Sequence, residues 1–581
     1  MNLLKALALT IVIAGAAFAQ GTQVIATSND PRIGLKPGLE DAAIAARNLE
    51  LIGHADRLPN FADPKDPGSF GFLNGDLGFI GNYVFQGGFN GLQVWDISNP
   101  ARPTLRTSMV CPGGQGDVSL YKNLLFMSVE ETRGRLDCGG GGVADTVSTE
   151  RFRGIRIFDI TDLDHPKQVA DVQTCRGSHT HTLVLDPKDA ANVYIYVSGT
   201  GPVRSGSELT GCNRGASLTD TTTSLFRIDV IRVPLAAPQN ARIVNSPRIF
   251  ADSANPVLGL WNGGTHGPGT QTTSQTNMCH DITVFSALNI AAGACSGNGI
   301  LLDISDPANP KRIAAVMDPN FAYWHSATFN NDGTKVLFSD EWGGGMAPRC
   351  RATDSPRWGA DAIFTRSGNN LNLAGYYKLP VAQTDQENCV AHDGSLIPIP
   401  GRDIMAQAWY QGGISVFDFT DPAHPKEIAF FDRGPMDSTK LILGGDWSAY
   451  WYNGHLYASE IDRGLDVLDL KPSDQLSQNE IDAAKLIHYD VFNPQNQPKF
   501  VWPASFVVAR AYLDQLVRNN GIAANRSTAI ARDLDRAEKA KGGRRKTALN
   551  KLANSLDQDA RTAADSAKVN ALASVVRDLA K

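Results

Sequence analysis

The chain has 581 residues, is 42% hydrophobic and carries a formal net charge of −6. That length allows a large core and more than one domain. The charge is uneven: Val501 to Lys581 carry +7 and the residues before them −13. No basic-aromatic patch accompanies the basic tail, which argues against a nucleic-acid partner.

Residues 1–19 read as a secretory signal peptide. Lys5 supplies the charged region, Leu7 to Ala17 the apolar run, and Ala17-Phe18-Ala19 the cleavage site. The run is too short for a membrane anchor, and no later stretch is apolar enough to span a bilayer. The expected location is therefore periplasmic, cell-surface-associated or extracellular. Export favours disulfides among the eight cysteines. Cys279 and Cys295 flank a hairpin and should face each other across its open end. Cys111–Cys138, Cys175–Cys212 and Cys350–Cys389 follow as sequential pairings. No CxxC favours thiolate metal ligation.

A polar N-terminal extension runs over 20–70 and holds one strand candidate at Leu49-Glu50-Leu51-Ile52. A repeat then begins. Its clearest copies are GLQVWDISNPARP from Gly91, GIRIFDITDLDHP from Gly154, GILLDISDPANP from Gly299 and GISVFDFTDPAHP from Gly413, with a shorter GLDVLDLKPSD from Gly464. Each reads as a strand ending in a turn, and all but the last lead into a further strand. A hairpin precedes each copy. Degenerate copies near Ser224 and Asp361 bring the units to seven. This arithmetic predicts an all-β fold, a seven-bladed β-propeller of four-stranded blades, over 71–474. A linker at 475–503 leads to a small α-helical C-terminal domain at 504–581, whose first helix starts after Ser505 and stops before Gly521.

LQVWDISNP and ILLDISDPANP resemble the LVIVD repeat, a propeller-type repeat of exported bacterial and archaeal proteins. The helical tail resembles the FIMAH type of C-terminal module. The first resemblance implies a fold and leaves the activity open.

His181, His280, His325 and His392 open the first strands of four consecutive units. Asp76, Asp117 and Asp446 hold the same slot in the other three. First strands line a propeller channel, so these seven residues are the candidate metal ligands. Imidazoles joined by carboxylates suit a transition metal such as Cu or Zn. The same side chains would equally serve to lock adjacent blades. Glu131, Glu341 and Glu460 end second strands, and if those strands run away from the His end they would hold a Ca²⁺ at the other mouth. His179 shares a strand face with His181, and His266 lies in a loop that could cover the mouth. Trp324, Trp447 and Tyr323 would line a pocket or pack between blades.

No GxSxG, Walker A or dinucleotide fingerprint stands in a suitable context. Two functions follow. The first is an exported binding or interaction module for a protein, glycan or small molecule. The second is a metal-dependent enzyme, redox or hydrolytic, using the His181/His280/His325/His392 ring. The copper-dependent nitrous oxide reductases and the methanethiol oxidase family supply only a fold-level analogy for the second.

Overall fold

The computed structural model describes residues 25–581. The signal segment expected at 1–19 lies outside them.

The repeated glycine has a steric cause. Gly154 opens a third strand at φ +148, and a Cβ there would lie 2.0 Å from the Val172 carbonyl oxygen on the fourth strand. Only glycine lets the fourth strand approach that closely. The apolar run after it is buried on both faces, because each sheet is covered by a neighbouring sheet.

Four-stranded antiparallel units follow one another along the chain. Asn74–Ile80, Tyr83–Gly88, Gly91–Asp96 and Thr104–Val110 form one. The next joins Val118–Tyr121, Leu124–Val129, Gly154–Asp159 and Lys167–Gln173. Units starting at Thr182–Val184, Ile282–Phe285 and Trp324–Phe329 have the same order. Two more, led by Asp393–Ile397 and Asp446–Tyr452, merge through a short parallel pairing of those first strands. First strands cluster centrally, and the last of them contacts the first, Asn74–Ile80. Cores form between adjacent units: Phe285 and Leu301 of one pack with Trp324 and Phe338 of the next.

The unit after Asp446 takes its fourth strand from the other end of the chain. Leu49–Asp56 pairs antiparallel with Gly464–Leu470. A Cβ on Gly464 would meet the Ala55 carbonyl oxygen at 2.0 Å, the contact that Gly154 makes with Val172. The N-terminal strand thus fills the slot that GLDVLDLKPSD leaves open. Buried Asp466 secures it, accepting from His54 Nδ1 at 2.6 Å and Arg433 Nη2 at 3.1 Å. Burial pushes the Asp466 carboxyl up, but Arg433 and His54 outweigh it and bring it down to about 2. A depressed carboxylate stabilises the fold above its unfolded pKa, and the contribution is lost as pH falls from about 4 towards 2. Urea unfolding should therefore show Asp466→Asn less stable by about 2 kcal/mol at pH 6, with the gap shrinking towards pH 2.5. A gap that stays constant with pH contradicts this assignment.

The far end of the channel is closed by the segment after the last unit. Asn493 exchanges two hydrogen bonds with the Leu120 backbone, at 2.8 and 2.9 Å. Gln497 does the same with Phe329, at 2.9 and 2.6 Å. The Val284 N–H donates to the Gln495 carbonyl at 2.8 Å. Leu120, Val284 and Phe329 lie on first strands, whose inner edges have no strand partner in their own sheet. Side-chain amides at Leu120 and Phe329, and backbone groups at Val284, satisfy those edges as a further strand would.

Helices occupy the C-terminal end: Gln478–Ala484, Phe506–Arg518, Ala524–Lys539, Gly542–Asp559 and Ser566–Leu579. Ser505 caps the second by accepting from the Val508 N–H. The last four share a core of their own around Leu516, Ile530, Leu552 and Leu572. The helices hold the β region through Gln515 Nε2, which donates to the Pro400 carbonyl, and through Glu480, which takes both Arg402 and Arg518. No helix of the described residues is long and apolar enough to cross a membrane. The eight cysteines form four disulfides: Cys111–Cys138, Cys175–Cys212, Cys279–Cys295 and Cys350–Cys389.

Candidate functional site

The seven predicted ligands do not gather at one point. His181 is fully partnered: Ser119 Oγ lies 2.7 Å from its Nε2, Ser128 Oγ 2.8 Å from its Nδ1, and its backbone N–H donates to Asp117. It ties the unit of Val118–Tyr121 to the next one. Asp117 is thereby engaged with His181, and Asp76 accepts from Gln495 at the closed end. Burial, with the nearby Asp117 charge, pushes Asp76 up to about 7. Asp446 is buried near Asp466 and Glu460, and burial with their charges holds its carboxyl well above the usual range. None of these four belongs to a group of close potential metal-donor atoms among the described residues.

The other three histidines converge, and His179 joins them. Ring centroids step from His179 to His280 at 4.4 Å, His280 to His325 at 3.9 Å, and His325 to His392 at 4.2 Å. His325 is completely buried, and neither of its ring nitrogens has a hydrogen-bond partner. His392 Nδ1 donates to the Trp447 carbonyl, which leaves Nε2 free. Burial and the neighbouring imidazoles hold His325 well below its ordinary pKa. His392 is pulled down to about 3, first by burial. Both rings are therefore neutral at pH 7, with lone pairs available.

Carboxylates surround this stack. Glu341 approaches His325 Nε2 at 3.8 Å and His392 Nε2 at 3.7 Å, and accepts from the Tyr410 hydroxyl at 2.6 Å. Asp393 lies 3.9 Å from His325 Nδ1 and 3.5 Å from His392 Nδ1. Asp281 pairs with His280 Nδ1 at 3.1 Å, and Glu130 with His179 Nδ1 at 2.7 Å. Burial and the charges of Asp281, Asp76 and Glu341 push Asp393 well above its usual pKa. Two sets of donor atoms each fall within 4.8 Å of one another: His280, His325 and Glu341, and His325, His392 and Asp393. His325 belongs to both.

The placement of Glu341 corrects the expectation of an acidic ring at the opposite mouth. In an antiparallel hairpin the end of the second strand returns to the start of the first. Trp324 accordingly pairs with Asp340, which sets Glu341 beside His325. Asp281 and Asp393 were also missed, although both follow a histidine directly. The repeated His-Asp dipeptide was the available signal.

A cavity of about 640 Å³ opens onto the stack from the outside. His179, His280, His392, Glu130 and Glu341 line its floor, with Tyr323, Tyr410 and Trp447 on its walls. Phe70 and Met346, 56% and 47% exposed, line it too. Trp324 instead packs between units, and His266 stacks on Trp261 at 3.9 Å away from this cavity.

The LVIVD repeat family matches residues 75–110. No curated protein matches the chain. Solved structures are similar at low identity. The Dos1 propeller is 12% identical, with 69% of this chain and 79% of that one covered and a TM-score of 0.37. The periplasmic gluconolactonase PpgL of Pseudomonas aeruginosa is 12% identical, with 69% and 96% covered and a TM-score of 0.39. The N-terminal domain of Nup159 is 9% identical, with 74% and 98% covered and a TM-score of 0.39. The chain is a repeat protein of the propeller type, mostly β with a small helical region at its C-terminal end.

Proposed function

We propose that this is an exported, seven-bladed propeller whose open channel mouth carries a transition-metal centre that acts on a small molecule. One observation carries the reading: His325 is wholly buried, with both ring nitrogens unpaired, between two further histidines and Glu341. A buried polar group without a partner costs about 1–3 kcal/mol. A metal ion held by His280, His325 and Glu341, whose donor atoms lie within 4.8 Å of one another, would take up one of those nitrogens and offset part of that cost. Two imidazoles and one carboxylate suit copper or zinc. Ca²⁺ prefers six to eight oxygens, which this set does not supply. Catalytic ions keep a position open to substrate, and the 640 Å³ cavity lies on the Glu341 side. The four disulfides support an oxidising compartment.

Metal analysis of the purified protein, grown with copper, zinc and iron available, should give close to one equivalent of a single transition metal. His181→Ala should lower stability and leave that content unchanged, because His181 serves Ser119, Ser128 and Asp117. Less than about a tenth of an equivalent in the wild type would favour the second reading, a metal-free binding module. The exposed Phe70 and Met346 at the mouth would then form the contact surface for a protein, glycan or small molecule.

A further inference from the structure

Two inserts on the loops between strands build a second cleft. One runs between Val129 and Gly154 and is stapled by Cys111–Cys138. The other runs between Val197 and Asp229 and is stapled by Cys175–Cys212. Between them lies a cavity of about 810 Å³ lined by Arg133, Arg151, Arg153, Arg204 and Arg214. The carboxylates on its lining are Asp145 and Glu208.

The charges do not balance. Glu208 is shared: its Oε1 accepts from Arg204 Nε at 2.6 Å, and its Oε2 pairs with Arg151. Arg153 is 3% exposed and has no ion pair among the described residues. It donates to the Pro202 and Arg176 carbonyls at 2.9 and 3.0 Å, and its buried Nε has no partner. Burial, and after it the Arg204 charge, pulls Arg153 down to about 10. Arg214 and Arg133 are exposed on the same lining, and each makes its side-chain bond to a backbone carbonyl, Val203 and Gly141 respectively. A buried cation is ordinarily matched by an anion. Two disulfides and a shared carboxylate hold five guanidiniums around one space, and their planar forks match the geometry of oxyanions.

We infer that this cleft is a binding site for a small molecule bearing a multiply charged oxyanion group, a phosphate, sulfate or polycarboxylate. The site is independent of the histidine centre, although segments of both inserts reach that centre. Glu130 and Thr200 line the histidine cavity, while Thr132 and Pro202 line the arginine cleft.

The test is isothermal titration of the full chain with pyrophosphate, sulfate and citrate as separate probes, at matched ionic strength. At least one should bind with a submillimolar Kd, and the preferred probe identifies the oxyanion. Arg133→Ala combined with Arg214→Ala changes only exposed side chains and should weaken that binding at least tenfold. Arg561→Ala, in the exposed turn between the last two helices, should leave it unchanged. Protein stripped of metal should bind equally well, which separates this result from the fate of the metal centre. Failure of all three probes to bind below about 10 mM overturns the inference. So does binding within twofold of wild type in the double variant.

Discussion

Replacing His325 by leucine should abolish metal binding and at the same time stabilise the metal-free protein by about 1–3 kcal/mol. The sign is the informative part. Most changes at a fully buried residue destabilise, because they open a cavity or strand a partner. His325 has no hydrogen-bond partner to strand, and its two nitrogens lie in a site that holds the ring neutral. Leucine of similar bulk removes the unpaired groups and keeps the contacts with His280 and His392. Sites kept for function commonly carry such a stability cost. Urea unfolding of chelator-treated wild type and variant measures the difference. If the imidazole instead locks the blades, as His181 does, the variant will be less stable by 2 kcal/mol or more, and the metal reading loses its support.

Deleting residues 25–57 should remove the cooperative unfolding transition of the β region. The lost strand supplies a full antiparallel partner to Gly464–Leu470. It also takes away His54, and with it part of the Asp466 network, and buried Leu49 and Ala55. Upstream residues go with it: Arg32, which pairs with Glu427 at 2.9 Å, and Ile44–Arg47, which pairs with Lys426–Arg433. Together these are comparable with the whole stability of a domain, about 5–15 kcal/mol. Calorimetry should show a broad, weak transition. A synthetic peptide spanning residues 25–57, added in trans, should restore part of the sharp one. A truncated protein that melts cooperatively within about 2 °C of the full chain would show that the closing strand is dispensable.

Strand positions were legible in the sequence because their causes are local. At Gly91, Gly154 and Gly413 the glycine before the third strand reflects a backbone approach within one unit, and the turn after the Asp is carried by Asn, Asp and Pro. Cysteine pairing was legible for a similar reason: each bridge closes within 16 to 39 residues. The closing strand was harder. Leu49 to Ile52 read as a strand, but its partner lies more than 400 residues on, and nothing local names it. The site was legible only to the level of register. A His at the start of an inner strand faces the channel region, but its position relative to the strand does not decide its surroundings. His325 falls inside its strand, His280 and His392 precede theirs, and all three reach the stack. His181 precedes its strand by one residue, as His392 does, and meets Ser119 and Ser128 instead. His179, two residues earlier, takes the place in the stack that His181 was expected to fill. Glu341 required the hairpin to be folded back explicitly, since its distance in sequence from His392 hides their proximity.

X-ray absorption at the metal edge of the purified protein tests the central claim most directly. The account predicts a first shell of two imidazole nitrogens and one or two oxygens at about 2.0–2.1 Å, lost in the His325→Leu variant. A sulfur-containing or all-oxygen shell, or a spectrum unchanged in that variant, would contradict it.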